Sequence, residues 1–473
     1  MRGPPPEPTR RDRTLGALLG VHAGDSLGAT CEFNSWREVR QHWPNGVREI
    51  QGGGPFNWPA GHATDDTDLT RAVLLAYRDA EMVRRSRVEN NSTLPNPDLT
   101  RLAAEHMLDW CGGRNWPGRT EGTSPVDIGG ATALGLRNFQ STGDPKGGGA
   151  GLGSSGNGSL MRCIPSGLFF SDEEVDEREL ERQYKSSPDN HQEDGSSPFL
   201  VRITSKPNPS VSAAISAITH DDPLCVLSCA AYNMVVRCLV FGLPPLLALD
   251  VAESFLASLP EKLLPSDTPL NAPAMVHHGS KPITNSHYIA ASGQVLEAMQ
   301  RGRASPDPPF DTDPTEPRPS QDKPLSLISA LATHGPGVTG TLLDGAIINA
   351  DGFSADDNDT REDSFSIPPE TDMLEPDGTS SAAKPVGRVI PHKAVGYVLD
   401  SLTVAVAALM DPRPLEDVLI DVVRIGGDTD TNGAIAGGLL GARDGVEAIP
   451  QRWREKLQFR SEFEEIVDYM LSE

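Results

Sequence analysis

The chain has 473 residues, with 41 Lys or Arg against 66 Asp or Glu and a formal net charge of −25. That balance excludes a binder of phosphate backbones, which needs a basic stripe to release counterions, so no direct nucleic-acid binding is expected. Counting glycine and leaving out tyrosine, apolar residues reach about 46%, an ordinary globular value, and the length allows one large domain or two to three smaller ones.

Residues 1–13 read as a disordered tail before a first helix. The stretch MRGPPPEPTRRDRTLGALLGVHAGD resembles a leader only superficially. Its apolar run is about nine residues long, contains His22, and is followed by no clean cleavage motif. No apolar run approaches membrane-spanning length, and no membrane partner is expected. Gly24-Asp25-Ser26-Leu27-Gly28 then closes the first helix, with Glu32 just beyond it.

Thr64-Asp65-Asp66-Thr67-Asp68 precedes a helix carrying Leu69, Val73, Ala76 and Tyr77. Capping alone would explain one short acceptor there, but not adjacent aspartates. Asp98 is a good N-cap for a helix with Leu99, Leu102, Ala103, His106, Met107 and Trp110 inward. A glycine-rich stretch follows from Gly147 to Arg162. It lacks the Gly-Lys-Ser/Thr of a phosphate-binding Walker loop, and reads either as a flexible linker or as a loop offering N–H groups to a pyrophosphate.

Thr219-His220-Asp221-Asp222-Pro223 reads as a capped turn, and residues 223–241 as a mostly apolar helix. Val395, Val398, Leu399, Leu402, Val406 and Leu409 mark a helix apolar nearly all round, hence buried. Pro414 opens another, with Leu415, Val418, Leu419 and Val422 inward and Gly426-Gly427 closing it. Asp428-Thr429-Asp430-Thr431-Asn432 then leads into the small-residue helix GAIAGGLLGA. No alternating strand pattern appears, so the fold is expected to be all-α.

Pro-, Ser- and Asp-rich inserts are expected near 171–210, 260–287, 302–323 and 350–388. The segments 171–195 and 350–388 each hold ten acids and three bases, so over half of the net charge lies in solvated inserts. One domain spanning 14–473 fits better than two, because the chemical motifs lie at opposite ends of the chain. Cys31, Cys111, Cys163, Cys225, Cys229 and Cys238 form no CxxC pair, which fits buried thiols in a reducing compartment, cytoplasm or nucleus.

Two aspartate clusters of hard oxygen donors, with no His or Cys within them, suit Mg²⁺ or Mn²⁺. If they converge, their mutual repulsion calls for cations, and a two-metal site is the economical reading. A terpenoid-synthase reading of Asp65-Asp66-Thr67-Asp68 is disfavoured, since only 5% of the chain is aromatic and a carbocation cavity needs aromatic walls.

In order, GALLGVHAGDSLGATCE, TDDT, DIGGAT, GNGSLMR, ITH, GYVLDSL and GGDTDT resemble the ADP-ribosylglycohydrolase family over roughly residues 14–443. The resemblance implies an orthogonal all-α bundle and a dinuclear Mg²⁺ or Mn²⁺ centre held by Thr64, Asp65, Asp66, Asp428, Asp430 and Thr431. It implies catalytic parts for Glu32, on a mobile flap, and for Asp65 and Asp430. Substrate would be held by Gly153, Ser154, Ser155, Gly156, Asn157, Gly158 and Ser159, with His220 on the adenosine side. The implied reaction is hydrolysis at C1″ of ADP-ribose on an ADP-ribosylated protein or small conjugate. The alternative is a crystallin-like relative that keeps the bundle without turnover.

Overall fold

The computed structural model describes residues 7–90, 96–169, 209–263, 282–303, 326–334 and 396–472. These form helices α1 (Arg10–Gly28), α2 (Trp36–His42), α3 (Asp65–Glu89), α4 (Leu99–Cys111), α5 (Gly130–Thr142), α6 (Pro165–Leu168), α7 (Pro209–Ala217) and α8 (Pro223–Val240). They continue with α9 (Pro245–Lys262), α10 (Asn285–Arg303), α11 (Leu327–His334), α12 (Val398–Met410), α13 (Leu415–Arg424), α14 (Thr429–Asp444), α15 (Gln451–Arg454) and α16 (Arg460–Leu471). Among the described residues there is no strand, and the all-α expectation holds.

Helix α1 starts earlier than residue 14. Thr9 accepts from the Asp12 amide while Asp12 accepts from the Thr9 amide, a reciprocal cap that draws residues 10–13 of the expected tail into the helix. The inserts narrow in the same way. Helix α7 opens at Pro209, α9 runs on to Lys262 with Pro260 in its last turns, α10 starts at Asn285, and it ends only at Arg303. Most of each expected insert, all of 350–388, and Val395 lie outside the described residues.

Helices α1 and α14 run antiparallel with their backbones almost touching. Gly16, Gly20, Gly24 and Gly28 recur every fourth residue on one face of α1. A Cβ on Gly16 would lie 2.5 Å from the carbonyl oxygen of Gly441; on Gly20, 2.1 Å from that of Gly437; on Gly24, 1.9 Å from that of Gly433; on Gly28, 2.2 Å from that of Thr429. No side chain fits between the two helices at any of these levels. The approach places the C-terminal end of α1 against the first turn of α14, and so brings Asp25 and Glu32 to Asp428 and Asp430.

Around this pair, α8 is buried along almost its whole length, and Tyr232 Oη donates to the carbonyl of Ile435 at 2.9 Å. By length and composition α8 does reach the membrane-spanning range, contrary to expectation, but protein covers it on all sides. Helix α12 is buried as its pattern required, and α4 and α13 have the caps and inward faces expected of them.

The glycine contact is directly testable. Replacing Gly437 by Val forces the two backbones apart and is expected to cost more than about 3 kcal/mol in chemical denaturation, at the upper end of overpacking penalties. Gly293 lies within α10 with nothing near its missing side chain, so Gly293→Ala serves as the control and is expected to stabilise by up to about 1 kcal/mol.

Candidate active site

Two helix starts meet at the end of α1. Thr64 caps α3, its hydroxyl accepting from the Asp66 amide and donating to Asp66 Oδ2 at 3.1 Å. Asp25, buried near the end of α1, receives the amides of Thr64 and Thr67 on Oδ2, each at 3.2 Å, and the Thr67 hydroxyl as well. Its carboxylate thereby closes the positive end of α3. From the other side, the Thr431 hydroxyl donates to Asp66 Oδ2 at 3.3 Å across 365 positions of sequence. The Thr431 amide donates to Asp430 Oδ1 at 2.9 Å. The two aspartate turns therefore converge.

Asp25, Glu32, Asp65, Asp66 and Asp430 are all buried. Burial, followed by repulsion from neighbouring acids, raises each of them above the ordinary carboxylate range. Asp65 is lifted to about 7 by burial and by Asp428, and Asp25 to about 7 mainly by burial. Glu32 is lifted to about 9 by burial, then by Asp428, Asp65 and Asp25. Asp66 and Asp430 move in the same direction, Asp66 chiefly through Asp65 after burial and Asp430 through Glu32.

Glu32 follows α1 in a turn. The Phe33 amide donates to the Gly427 carbonyl and the Gly427 amide to the Asn34 carbonyl, both at 2.8 Å, so the turn is pinned to the loop before Asp428. Carboxylate oxygens of Glu32, Asp127 and Asp430 lie within 4.8 Å of one another. Asp127 was not among the sequence-derived candidates. It is half-buried in the segment before α5, and burial plus repulsion from Asp65 and Glu32 raise it too. The only clue in the sequence was its position at the head of DIGGAT.

The glycine-rich stretch is a docked loop. Gly151 and Gly153 donate their amides to Asp221 Oδ1 and Asp222 Oδ2, each at 2.7 Å, and the Asn157 amide donates to the Gly396 carbonyl at 2.8 Å. Asn157 Nδ2 donates to Asp428 Oδ2 at 2.8 Å and to Ser401 Oγ at 2.9 Å, tying the loop to the acidic cluster. His220 lies under the loop, with Nδ1 against Thr219 Oγ1 at 2.7 Å; a Cβ on Gly158 would come within 3.0 Å of the imidazole. Burial, reinforced by Arg162, lowers His220 to about 3, which keeps it neutral.

Not every expected ligand contact is free to form. The Gly153 amide is already engaged, and the Ser159 hydroxyl faces inward to Ser216 and Cys229, bracing the loop from beneath. Ser154 Oγ donates back to the Ala150 carbonyl. The amides of Ser155, Gly156 and Gly158 donate to none of the described residues. Nor does the loop open a long helix; turns lead from it to the four-residue α6.

Asp68, last of the aspartates in the first cluster, turns away from the others. It accepts both indole N–H groups, from Trp110 at 2.8 Å and Trp116 at 2.9 Å. Arg71 lies over the ring of Trp116 and pairs with Glu462 through two bonds, of 2.7 and 2.8 Å. This network fixes the segment that leads toward Asp127.

A sequence model described as ADP-ribosylglycohydrolase matches residues 6–188 and 327–473, well over half of the chain. The chain belongs to the ADP-ribosylglycohydrolase family. It is 33% identical over 162 residues to the ADP-ribosyl-dinitrogen reductase glycohydrolase of Rhodospirillum rubrum, a match covering 34% of this chain and 46% of that protein. It is 30% identical over 158 residues to the ADP-ribosylarginine hydrolase Tri1 of Pseudomonas putida (strain GB-1), covering 33% and 36%. The matches thus span less than half the length of these curated relatives. A solved structure titled ADP-ribosylglycohydrolase-related protein complex aligns over 98% of this chain and 97% of that one, with 21% identity and a TM-score of 0.49.

The residues present fit a hard cation. The converging donors are oxygens, and Asp25 Oδ1, Glu32 Oε2 and Asp66 Oδ1 are buried without a hydrogen-bond partner among the described residues. This ADP-ribosylglycohydrolase homologue should show the cluster's cost in its metal-free stability. The folded chain holds protons that the unfolded chain releases, so stability falls as pH rises through about 7 for Asp25 and Asp65 and about 9 for Glu32. Chelator-treated protein is expected to melt at progressively lower temperature from pH 5 to pH 9. Adding Mg²⁺ or Mn²⁺ is expected to flatten that slope in thermal melts, and a slope that divalent ions leave unchanged would contradict the cluster's role.

Proposed function

We propose that the chain is a hydrolase dependent on two Mg²⁺ or Mn²⁺ ions, cleaving the N- or O-glycosidic bond at C1″ and releasing ADP-ribose from a modified protein side chain or related conjugate. The observation that carries this reading is the convergence of Thr64, Asp65 and Asp66 with Asp428, Asp430 and Thr431, joined by the Thr431–Asp66 bond. Those six residues would hold the ions, with Asp127 and Glu32 bordering them through Asp430. Bound ions would polarise sugar hydroxyls and a water.

The remaining work falls to the chain's own groups. The amides of Ser155, Gly156 and Gly158 orient a pyrophosphate, in a loop held by Asp221, Asp222 and the Gly396 carbonyl. Neutral His220 lies against the loop without adding charge. Bond breaking at C1″ builds positive charge on the sugar, which the surrounding carboxylates stabilise. Glu32, whose Oε2 is free of other partners, and Asp127 hold or pass the proton at the acceptor end.

The test is release of free ADP-ribose from a panel of ADP-ribosylated peptides, with and without Mg²⁺ or Mn²⁺. Chelation and the substitutions Asp66→Ala, Asp428→Ala and Asp430→Ala are each expected to lower release by at least about a hundredfold, with circular dichroism unchanged. Full activity in chelator or in any of these variants would end the metal-dependent reading. Tight ADP-ribose binding with no release from any conjugate would favour the crystallin-like alternative.

A further inference from the structure

We infer that Arg162 is a positioning residue of the glycine-rich loop: acting through Thr219, it fixes the ring proton of His220 on Nε2 and so makes that nitrogen a hydrogen-bond donor to a bound pyrophosphate. The inference rests on the hydrolase reading above and adds the residues that orient one ligand contact.

Arg162 is fully buried, and among the described residues no carboxylate bonds it. Nη1 donates to the Gly158 carbonyl at 2.7 Å. Nη2 donates to Thr219 Oγ1 at 2.7 Å and, at 3.4 Å, to the Ile215 carbonyl of α7. A guanidinium without a counter-ion is costly to bury, so these bonds are what hold it. One side chain thereby grips the loop and the turn between α7 and α8 together.

The direction of each bond follows from the groups that make it. A guanidinium has no acceptor, so Thr219 Oγ1 receives the bond from Arg162. The Thr219 side chain is sealed from solvent, and its hydroxyl hydrogen needs an acceptor of its own. His220 Nδ1, at 2.7 Å, is the acceptor offered among the described residues, and it therefore carries no proton. Burial keeps the ring from holding two protons, which leaves a single one, on Nε2.

Nε2 faces the loop. A Cβ on Gly158 would lie 3.2 Å from it, and one on Gly156 3.6 Å away. It bonds none of the described residues and is not sealed from solvent. Gly156 and Gly158 are also two of the loop residues whose amides donate to none of the described residues. Backbone N–H groups and an imidazole N–H thus gather at one place with no acceptor among them. A pyrophosphate, which offers several acceptor oxygens, satisfies that set, and a ligand presenting a donor there would meet only donors.

The test has two arms, both in the full chain. In ¹⁵N-labelled protein, long-range ¹H–¹⁵N spectra of the His220 ring, assigned by its loss in His220→Asn, are expected to show a protonated Nε2 and an unprotonated Nδ1. ADP-ribose affinity, read by calorimetry in Mg²⁺ or Mn²⁺, is expected to fall about tenfold in Thr219→Val, which lacks the hydroxyl, and in Arg162→Lys, which keeps the charge but not the fork of donors. Thr219→Ser is expected to restore it, and Mn²⁺ affinity to stay within about twofold of wild type throughout. A proton on Nδ1 overturns the relay even if the variants fail to fold. So does unchanged ADP-ribose affinity in folded Thr219→Val, or a loss of Mn²⁺ affinity as large as that of ADP-ribose. The hydrolase reading survives all three results. A wild-type protein that neither binds ADP-ribose nor cleaves any conjugate overturns that reading, and the pyrophosphate contact with it.

Discussion

The backbone-to-backbone contact of α1 with α14 is the constraint on which the site depends. Glycine is costly inside a helix, because it surrenders more conformational freedom on folding than any other residue. Here that cost secures a fixed register. At each level from Gly16 to Gly28 the opposing carbonyl occupies the space of a side chain, so sliding one helix along the other would drive carbonyls into neighbouring Cβ atoms. The last contact is Gly28 on Thr429, and the Thr429 hydroxyl also donates to the Gly28 carbonyl at 2.7 Å. Glu32 and Asp428 lie just beyond it, and Asp25 and Asp430 within the turns on either side. Packing geometry alone thus sets Asp430 opposite the Glu32 turn.

That scaffold holds together groups that would otherwise separate. Buried carboxylates repel one another and lose hydration, and the chain responds in two ways. Part of the charge is met by fixed donors: three bonds to Asp25, hydroxyls of Thr64 and Thr431 on Asp66, and the Asn157 amide group on Asp428. The rest leaves buried oxygens on Asp25, Glu32 and Asp66 without partners. A site built this way is preorganised for cations, because its repulsion is already borne by the fold before any ion arrives.

The helices and each aspartate turn by itself were legible in the sequence because each has a local signature. Asp98 and Pro414 announce helix starts, and Thr64–Asp68 and Asp428–Thr431 carry more acid than capping needs. What depends on distant packing was not legible. The glycines of α14 registered only as small residues, since their partners on α1 lie over four hundred positions away. Asp127 stands alone in its segment, and only folding brings it to Glu32 and Asp430. Nor does any local signature announce the bonds that join Phe33 and Asn34, in the Glu32 turn, to the distant Gly427.

The glycine-rich loop depends on support from a second part of the chain. As sequence it was equally a linker or a phosphate cradle, and what decides between them is its platform. That platform is the turn between α7 and α8, which supplies Thr219, His220, Asp221 and Asp222, with Ser216 and Cys229 beneath Ser159. These residues fall between the two segments matched by the family's sequence model. The acidic half of the site is therefore built within the matched segments. Its loop is braced from residues that lie between those segments, so changes there would alter how the loop is held without touching any acid of the cluster.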